Sequence, residues 1–164
     1  KELLIRTLYI EMLGHNAWFA YIHAVNLTQS KNLVLKRMGY LLCSLFFNQE
    51  SELLIMLIST IQKDLASSNI HEIVIGLTAL TKLMNTSIVG SVADAVVKLL
   101  SHQTDLVRKK TLLVIEKIQR VSPNYLSDYG EKMKKGLCDR EPSVMAAALN
   151  LYHTQVKATP EKYK

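Results

Sequence analysis

The sequence contains few of the residues that form tight turns: among its 164 residues are only six glycines and three prolines. An all-β protein needs a turn roughly every 8–12 residues, which so few turn-forming residues do not supply. The longest apolar runs, such as 53–58, are far shorter than the roughly 20 residues of a membrane-spanning helix. We therefore expect neither a β-sandwich nor a transmembrane segment. We expect instead a soluble segment of a longer protein.

Residues and motifs for catalysis are also scarce. Cys43 and Cys138 lie far apart and neither belongs to a CxxC pair, which argues against a zinc or redox site. We expect both thiols to be buried and reduced. No GxGxxG, GxxxxGK[ST] or GxSxG motif occurs, and the five histidines lack ligand spacing, so we expect them at the surface or in helix caps. The sequence predicts no catalytic, cofactor-binding or metal-ligating residue, and therefore no enzyme.

Helix-forming patterns fill the rest of the chain. Hydrophobic residues make up 49% of it and recur at intervals of three and four, the spacing of amphipathic helices. Short polar clusters that suit helix caps and turns separate these stretches, at 30–32, 49–51, 67–69, 85–87, 101–105 and 122–124. The pattern predicts an all-α fold of about nine helices, 11–17 residues long. Because the loops are short, consecutive helices should be antiparallel.

Some of these helices repeat a common pattern. An aliphatic residue is followed four positions later by a small one in four segments: Leu35 and Gly39, Val74 and Thr78, Val107 and Thr111, and Val144 and Ala148. A small residue lets a neighbouring helix approach closely, and a period near 33–39 residues with two helices per unit is typical of α-helical repeats. We therefore predict one HEAT/armadillo-like α-solenoid segment over residues 1–164.

The stretch CDREPS, residues 138–143, resembles the start of an active site in composition. In the repeat frame it is the loop between the two helices of the last unit. Pro142 suits the first turn of the helix that follows, where its missing N–H costs nothing. Asp139 and Glu141 place negative charge near that helix N-terminus, where it is favourable. We interpret this stretch as a corner of the scaffold.

The net charge of +6 suggests an anionic partner, and two basic clusters lie in first turns of second helices. Lysines beside several free N–H groups there could bind phosphate. These candidates for contact with an anionic membrane are Lys31, Lys36, Arg37, Arg108, Lys109 and Lys110. Nucleic acid is a weaker alternative, because exposed aromatic residues for base stacking are not evident beside the lysines.

A structural role for these charges is the stronger alternative. Asp105 can pair with Lys109 and Glu116 with Arg120, four residues apart on a helix. An arginine directly after the repeat's aliphatic residue, as Arg108 is, commonly lies inside HEAT repeats. A further cluster, Lys132, Lys134 and Lys135, has Glu131 as a partner for Lys135 and is interpreted as a solvated face.

Aromatic residues concentrate near the amino terminus. Trp18, Phe19 and Tyr21 follow Tyr9 and Ile10 at helical spacing. Such a stripe is more often core than a binding site, so we expect these rings to be buried.

Four blocks of this sequence resemble the amino-terminal trunk of large adaptins. They are YIEMLGHNAWFAYIHAVNL (9–27), KRMGYLLCSLFFNQESELL (36–54), KDLASSN (63–69) and VRKKTLLVIEKI (107–118). YIHAVNL together with LCDREPSVMAAALNLY (137–152) is most similar to the ε subunits of the fourth adaptor complex, with the γ type next.

The resemblance implies an α-solenoid trunk without catalysis or cofactor, part of a heterotetrameric vesicle coat. Its partners would be a σ-type small subunit, a β-type large subunit and a μ subunit. An Arf-family GTPase would recruit the complex to the cytoplasmic face of trans-Golgi or endosomal membranes, where it selects cargo sorting signals. Lys1 and Arg6 lie in the helix that contacts phosphoinositides in related trunks, although Glu2 interrupts the cluster. The alternative is a HEAT-repeat transport receptor or nucleic-acid scaffold.

Overall fold

The computed structural model describes residues 2–47, 53–123, 125 and 130–158. Over these residues the backbone forms nine α-helices and no strand. The helices are α1 (Glu2–Met12), α2 (Tyr21–Thr28), α3 (Leu33–Phe46), α4 (Leu53–Leu65), α5 (Ile70–Leu83), α6 (Thr86–Lys98), α7 (Asp105–Val121), α8 (Gly130–Lys134) and α9 (Pro142–Ala158). Short 3-10 turns occur at Trp18–Ala20, Leu99–Ser101 and Lys135–Cys138.

The predicted all-α architecture is confirmed over the described residues. The helices α2 and α8, with 8 and 5 residues, are shorter than the sequence predicted. Helix α9 begins at Pro142, so the stretch 138–143 is the predicted corner. None of the helices in the described part of the chain is both long enough and apolar enough to cross a bilayer.

Asparagine side chains start two of the helices, as the polar clusters predicted. The Asn32 Oδ1 accepts a hydrogen bond from the Val34 N–H at 2.9 Å, and the Asn85 Oδ1 accepts one from the Ile88 N–H at 3.0 Å. Each bond satisfies a donor that the first helical turn leaves without a backbone partner. The predicted clusters at 49–51 and around 124 lie outside the described residues.

The chain divides into two compact units, residues 1–83 and 84–164. In the first unit α2 packs along α3, α4 packs against α5, and α3 packs against α5. Tyr21 stacks on Phe46 with ring centroids 5.0 Å apart. The core also contains fully buried aliphatic residues from α3, α4 and α5, among them Leu42, Leu57, Leu77 and Leu80.

The second unit repeats this arrangement. Helix α6 packs against α7, α7 packs against α9, and the Lys135–Cys138 turn after α8 contacts α9. Its core consists of buried aliphatic residues on facing sides of these helices, among them Ile88, Leu112, Ile115, Ile118 and Leu151. The predicted continuity of one solenoid over residues 1–164 stays a prediction.

The small residue of the repeat allows a close helix contact in the first unit. A Cβ added to Gly39 would lie 2.7 Å from the backbone N of Thr28 and 2.9 Å from Leu27. Helix α3 therefore meets α2 at a distance that only glycine permits. Gly76 differs, because its nearest neighbour, the Asp64 Cβ, would lie at 3.6 Å, an ordinary contact distance.

We predict opposite effects for alanine at these two glycines. Gly39→Ala should lower the free energy of unfolding by about 1–3 kcal/mol, because backbone atoms of α2 must move away. Gly76→Ala should raise it by about 0.5–1 kcal/mol, because alanine favours a helix interior and its Cβ fits. Denaturant unfolding of both variants measures the two effects. Equal stability of the two variants would contradict the close contact.

Candidate functional site

The structure separates the predicted basic contacts into exposed and engaged side chains. Arg6, Lys31 and Arg37 are exposed, and Lys1 lies outside the described residues. The Arg6 Nη2 donates to Glu2 Oε1 at 2.7 Å, so the glutamate that interrupts the cluster also pairs with it. Exposed pairs of this kind leave the cation accessible to other anions.

Lys36 is not a surface residue, which corrects its predicted place in a phosphate-binding patch with Lys31 and Arg37. Its side chain is buried, and its ammonium donates to Asp64 Oδ1 at 2.6 Å and to Glu72 Oε1 at 3.0 Å. The lysine of α3 is thereby joined to one carboxylate on α4 and one on α5. A buried ammonium that is bonded to two carboxylates of the first unit is not accessible to a membrane.

The neighbours of this ion cluster complete its hydrogen bonds. The Tyr40 hydroxyl donates to Asp64 Oδ2 at 2.6 Å, and the Ser67 hydroxyl donates to Glu72 Oε2. Burial, followed by the Asp64 hydrogen bond, raises the pKa of Tyr40 far above its ordinary value. Although burial lowers the pKa of Lys36, its bonds to Asp64 and Glu72 raise it overall, so the ammonium stays charged. We infer that the cluster is structural.

Arg108 forms the corresponding link in the second unit. Its Nε and Nη2 donate to the two carboxylate oxygens of Asp139 at 2.7 and 2.8 Å, and Nη1 donates to the carbonyls of His102 and Gln103. The hydrogen bond to Asp139 raises the pKa of Arg108 and holds that of Asp139 below its ordinary value. The internal role of Arg108 is therefore confirmed, and its guanidinium is occupied.

The pairings predicted for the other charged residues of this unit are confirmed only in part. The Glu116–Arg120 pair forms at 2.6 Å as predicted. Glu131 pairs with Lys134 at 2.9 Å and not with Lys135. Lys109 and Lys110 are half-buried on α7, and the ion pairs found among the described residues do not include the predicted Asp105–Lys109 pair.

The two thiols and the histidines differ in their exposure. Cys43 is buried as predicted, and burial raises its pKa to about 12. Cys138 is exposed at the end of the Lys135–Cys138 turn, so its predicted burial is wrong. The histidines are at the surface or in caps as expected: His102 Nδ1 accepts from the Thr104 N–H at 3.1 Å. Among the described residues no group of His, Cys, Asp and Glu is arranged to hold a metal ion.

The aromatic start of the chain is exposed, and the prediction of a buried stripe is wrong for most of it. Trp18 is 71% exposed and Tyr9 63%. Only Tyr21 turns inward, where it stacks on Phe46 and donates to Glu11 Oε1 at 2.7 Å, a bond that raises its pKa to about 12. Helix α1 has no buried residue, so no core is available there to cover the rings.

An apolar stripe on α3 is the feature that the sequence analysis missed. Val34, Leu41 and Leu45 are 64, 47 and 51% exposed, and their spacing places them, with Met38, along one side of the helix. The opposite side of α3 is buried in the first unit. The available sequence signal was this second row of apolar residues at helical spacing, on a helix whose opposite side is also apolar. We name these four residues the α3 stripe.

Together, paired helices, a saturated ion cluster and an uncovered apolar stripe define a scaffold built from α-helical repeats. The model of the adaptin N-terminal region matches residues 1–164. This chain belongs to that family.

Individual relatives agree with this assignment. The AP-4 complex subunit epsilon of Arabidopsis thaliana is 45% identical over 149 residues, which are 91% of this chain and 16% of that protein. The AP-4 complex subunit epsilon-1 of Homo sapiens is 39% identical over all 164 residues, 14% of that protein. This chain thus spans about one seventh of these relatives' length. The AP-3 complex subunit delta-1 of Bos taurus is 26% identical over 155 residues, 94% of this chain and 13% of that protein.

Structural comparison leads to the same family. One chain in a homology model of the full-length AP-3 complex in an intermediate open conformation matches with a TM-score of 0.85 at 25% identity. The match covers 99% of this chain and 29% of that one. The predicted α-solenoid fold and the resemblance to ε subunits are therefore confirmed. The sequence resemblance gave the γ type as the next most similar after ε. The relative named here at lower identity is of the δ type.

We predict that breaking the ion cluster destabilises the first unit strongly. Lys36→Met leaves Asp64 and Glu72 without their cation and should cost about 3–5 kcal/mol in the free energy of unfolding. Arg6→Met removes an exposed pair and should cost less than about 0.5 kcal/mol. Denaturant unfolding compares the two variants, and similar small losses would show that Lys36 is solvated.

The same cluster predicts a stability loss in acid. The hydrogen bond from Ser67, followed by that from Lys36, lowers the pKa of Glu72 from its ordinary value of 4.5. A lowered pKa in the folded state stabilises the fold above about pH 4.5, and this contribution disappears as pH falls through the folded value.

The Ser67→Ala variant tests this assignment. It should bring the pKa of Glu72 closer to its ordinary value and so reduce the dependence of unfolding free energy on pH below 4.5. Denaturant unfolding at a series of pH values measures this slope. A slope identical to that of the unaltered protein would assign the acid sensitivity to other carboxylates.

Proposed function

We propose that this chain is part of a non-catalytic scaffold subunit in a heterotetrameric vesicle-coat adaptor complex. The family assignment and the AP-4 epsilon relatives support this proposal. The proposed complex sorts cargo at trans-Golgi or endosomal membranes. It contains a σ-type small subunit, a β-type large subunit and a μ subunit, and an Arf-family GTPase recruits it to the cytoplasmic face of the membrane.

The α3 stripe is the observation that carries the proposal. Burying a leucine or valine side chain is worth about 1.5–3 kcal/mol, and this stripe leaves about half or more of three such side chains exposed to water. Contiguous apolar surface of this kind marks a site for protein contact. A scaffold subunit that holds other subunits needs such a surface, whereas an enzyme needs a cluster of reactive polar groups. The ion clusters around Lys36 and around Arg108 are saturated by their own partners.

A membrane role rests on the cations that remain accessible. Arg6, Lys31 and Arg37 are exposed in the first unit, and Lys109 and Lys110 are half-buried in the second. Together with Lys1, which lies outside the described residues, these five stay the predicted contacts for an anionic membrane, without the engaged Lys36 and Arg108. The family assignment favours this role over a transport receptor or a nucleic-acid scaffold.

The co-purifying subunits test the proposal. The protein is purified from its own cells by an affinity tag, and the accompanying chains are identified and counted. We expect one β-type, one μ and one σ-type chain in equal amounts. The double variant Leu41→Asp/Leu45→Asp should weaken retention of at least one of them tenfold or more, because losing an interface hot spot costs about 2 kcal/mol or more.

A matched control separates the stripe from an effect of charge. The double variant Ser68→Asp/His71→Asp adds two negative charges at exposed positions around the start of α5. It should retain all partners. Equal retention by both variants would remove the α3 stripe from the interface. Recovery of the unaltered protein without β-type, μ and σ-type chains would contradict the coat function itself.

A further inference from the structure

The turn at the end of α7 contains a serine-proline pair that has no part in the proposed coat function. Ser122 follows the last residue of the helix, and Pro123 comes directly after it. Serine followed by proline is the pair that proline-directed protein kinases modify, because the proline ring fits a pocket beside the reacting hydroxyl. Over the described residues, Ser122 is the one hydroxyl residue that precedes a proline. The sequence analysis gave this pair a role only in a helix cap or turn.

The proline determines where α7 stops. Pro123 lacks the N–H that would extend the helix, and its ring disfavours the helical conformation for the residue before it. Ser122 accordingly has left the helical region, with φ −140° and ψ 82°. Its N–H donates to the Ile118 carbonyl at 2.7 Å, and its carbonyl accepts from the Tyr125 N–H at 3.2 Å. The serine therefore lies where the last helical bond meets a turn.

The Ser122 hydroxyl differs from hydroxyl groups inside the helices. Ser44, Ser59 and Thr111 donate to carbonyls of their own helix, three or four residues earlier. Among the described residues, no such hydrogen bond engages the Ser122 hydroxyl. Modification of this oxygen therefore removes no bond that holds the end of α7.

The end of α7 is also a place that opens at low cost. Ser122 is half-buried, whereas Pro123 and Tyr125 on the same turn are exposed. Terminal turns with exposed hydrogen bonds open locally with much smaller free energies than the helices of a core. A kinase can therefore bind this segment in extended form while the core of the second unit stays folded.

A phosphate on Ser122 would act against the closed turn. It carries about 1.5–2 negative charges at pH 7. The last carbonyls of α7 form the negative end of the helix dipole at the same place, and negative charge there destabilises the helix end. Arg120, two residues earlier, lies on another side of the helix and pairs with Glu116 at 2.6 Å. The nearest cation in the sequence is thus not placed to compensate the phosphate.

Opening the turn would change a contact with α6. The Tyr125 hydroxyl lies beside Gly90 of α6, 4.0 Å from the position that a Cβ on this glycine would take. The bond from the Tyr125 N–H to the Ser122 carbonyl helps to hold the ring there. When this bond breaks, the ring is free to leave α6, and the surface of the second unit changes.

We propose that a proline-directed protein kinase phosphorylates Ser122 and that the phosphate opens the turn after α7. The Ser122 Oγ attacks the γ-phosphorus of ATP, and the new O–P bond forms as the bond to the bridging oxygen breaks. ADP leaves, and the hydroxyl proton passes to a carboxylate of the kinase. This proposal rests neither on the coat function nor on the α3 stripe.

The test uses the protein purified from its own cells with the subunits that accompany it, after treatment with a phosphatase. It is incubated with magnesium ATP and an active mitogen-activated protein kinase, and mass spectrometry of proteolytic peptides locates the phosphate. We expect phosphate on the peptide that contains Ser122. Pro123→Ala keeps the hydroxyl and should slow its modification about tenfold or more, as expected when an apolar group is lost from a specificity pocket.

The chain provides a matched control. Ser143 is half-buried like Ser122, but it follows Pro142 instead of preceding a proline. Its peptide should stay unmodified, and Pro142→Ala should leave the rate at Ser122 unchanged. Thr159 precedes Pro160 outside the described residues, so phosphate is measured site by site and not as a total. Thermal melting checks that each variant is folded.

Hydrogen exchange measures the structural effect of the phosphate. The peptide that contains the end of α7 should exchange about two- to fivefold faster in the phosphorylated protein, the factor that a charge at a helix end produces. Ser122→Asp should reproduce part of this increase, and the neutral Ser122→Asn should show less of it than Ser122→Asp.

Three results would overturn the proposal. The first is absence of phosphate at Ser122 while the same kinase modifies a standard peptide substrate. The second is an equal rate at Ser122 in the unaltered protein and in Pro123→Ala, which would show that the proline does not direct the reaction. The third is unchanged hydrogen exchange in the fully phosphorylated protein, which would show that the turn stays closed.

Discussion

The burial of one lysine charge between two carboxylates holds three helices of the first unit together. Lys36 on α3 bonds Asp64 on α4 and Glu72 on α5, so α3 is fixed against both helices of the following hairpin. Taking three charges out of water is unfavourable, and only short, complete hydrogen bonds compensate for it. Tyr40 and Ser67 supply the remaining bonds. Helix α3 cannot slide along α4 and α5 without breaking these bonds. The cluster therefore favours a single packing of the three helices.

The second unit applies the same solution at the equivalent position of its repeat. Lys36 follows Leu35, and Arg108 follows Val107, the aliphatic residues that define the repeat. Each basic residue reaches an acid of the next hairpin, 28 residues away for Asp64 and 31 for Asp139. Helical repeats bury little surface individually and depend on their neighbours. The attraction between aliphatic side chains has no preferred direction. An ion pair from one repeat to the next is directional, so it fixes how the two repeats align.

Local features of the chain could be predicted from its sequence. Helix periodicity, the asparagine caps of α3 and α6 and the proline at the start of α9 depend on residues a few positions apart. Gly39 was also recognisable, because a small residue at a repeated position signals a close helix contact. These predictions succeed because the determining contacts are near in sequence or recur with the repeat.

The predictions that failed depended on distant partners. Nothing near Lys36 in sequence identifies Asp64 as its partner, so a buried ion and a surface lysine have the same local pattern. Trp18 and Tyr9 have the spacing of core residues, but α1 offers no buried face against which they could pack. Cys138 has apolar neighbours in the sequence but lies on an exposed turn. The spacing of apolar residues shows which side of a helix is apolar. Whether another element covers that side depends on the whole fold.

The residues that stabilise this scaffold differ from those that remain on its surface. Lys36 and Arg108, which the sequence offered as candidates for anion contact, are engaged in internal ion pairs. The exposed cations, among them Arg6, Lys31 and Arg37, lie on the surface, where a bound anion can reach them. The α3 stripe is the apolar counterpart, because about half of each of its leucine side chains is exposed to water. The strongest polar contacts of this chain thus fix the register of its helices, and part of its aliphatic surface remains uncovered.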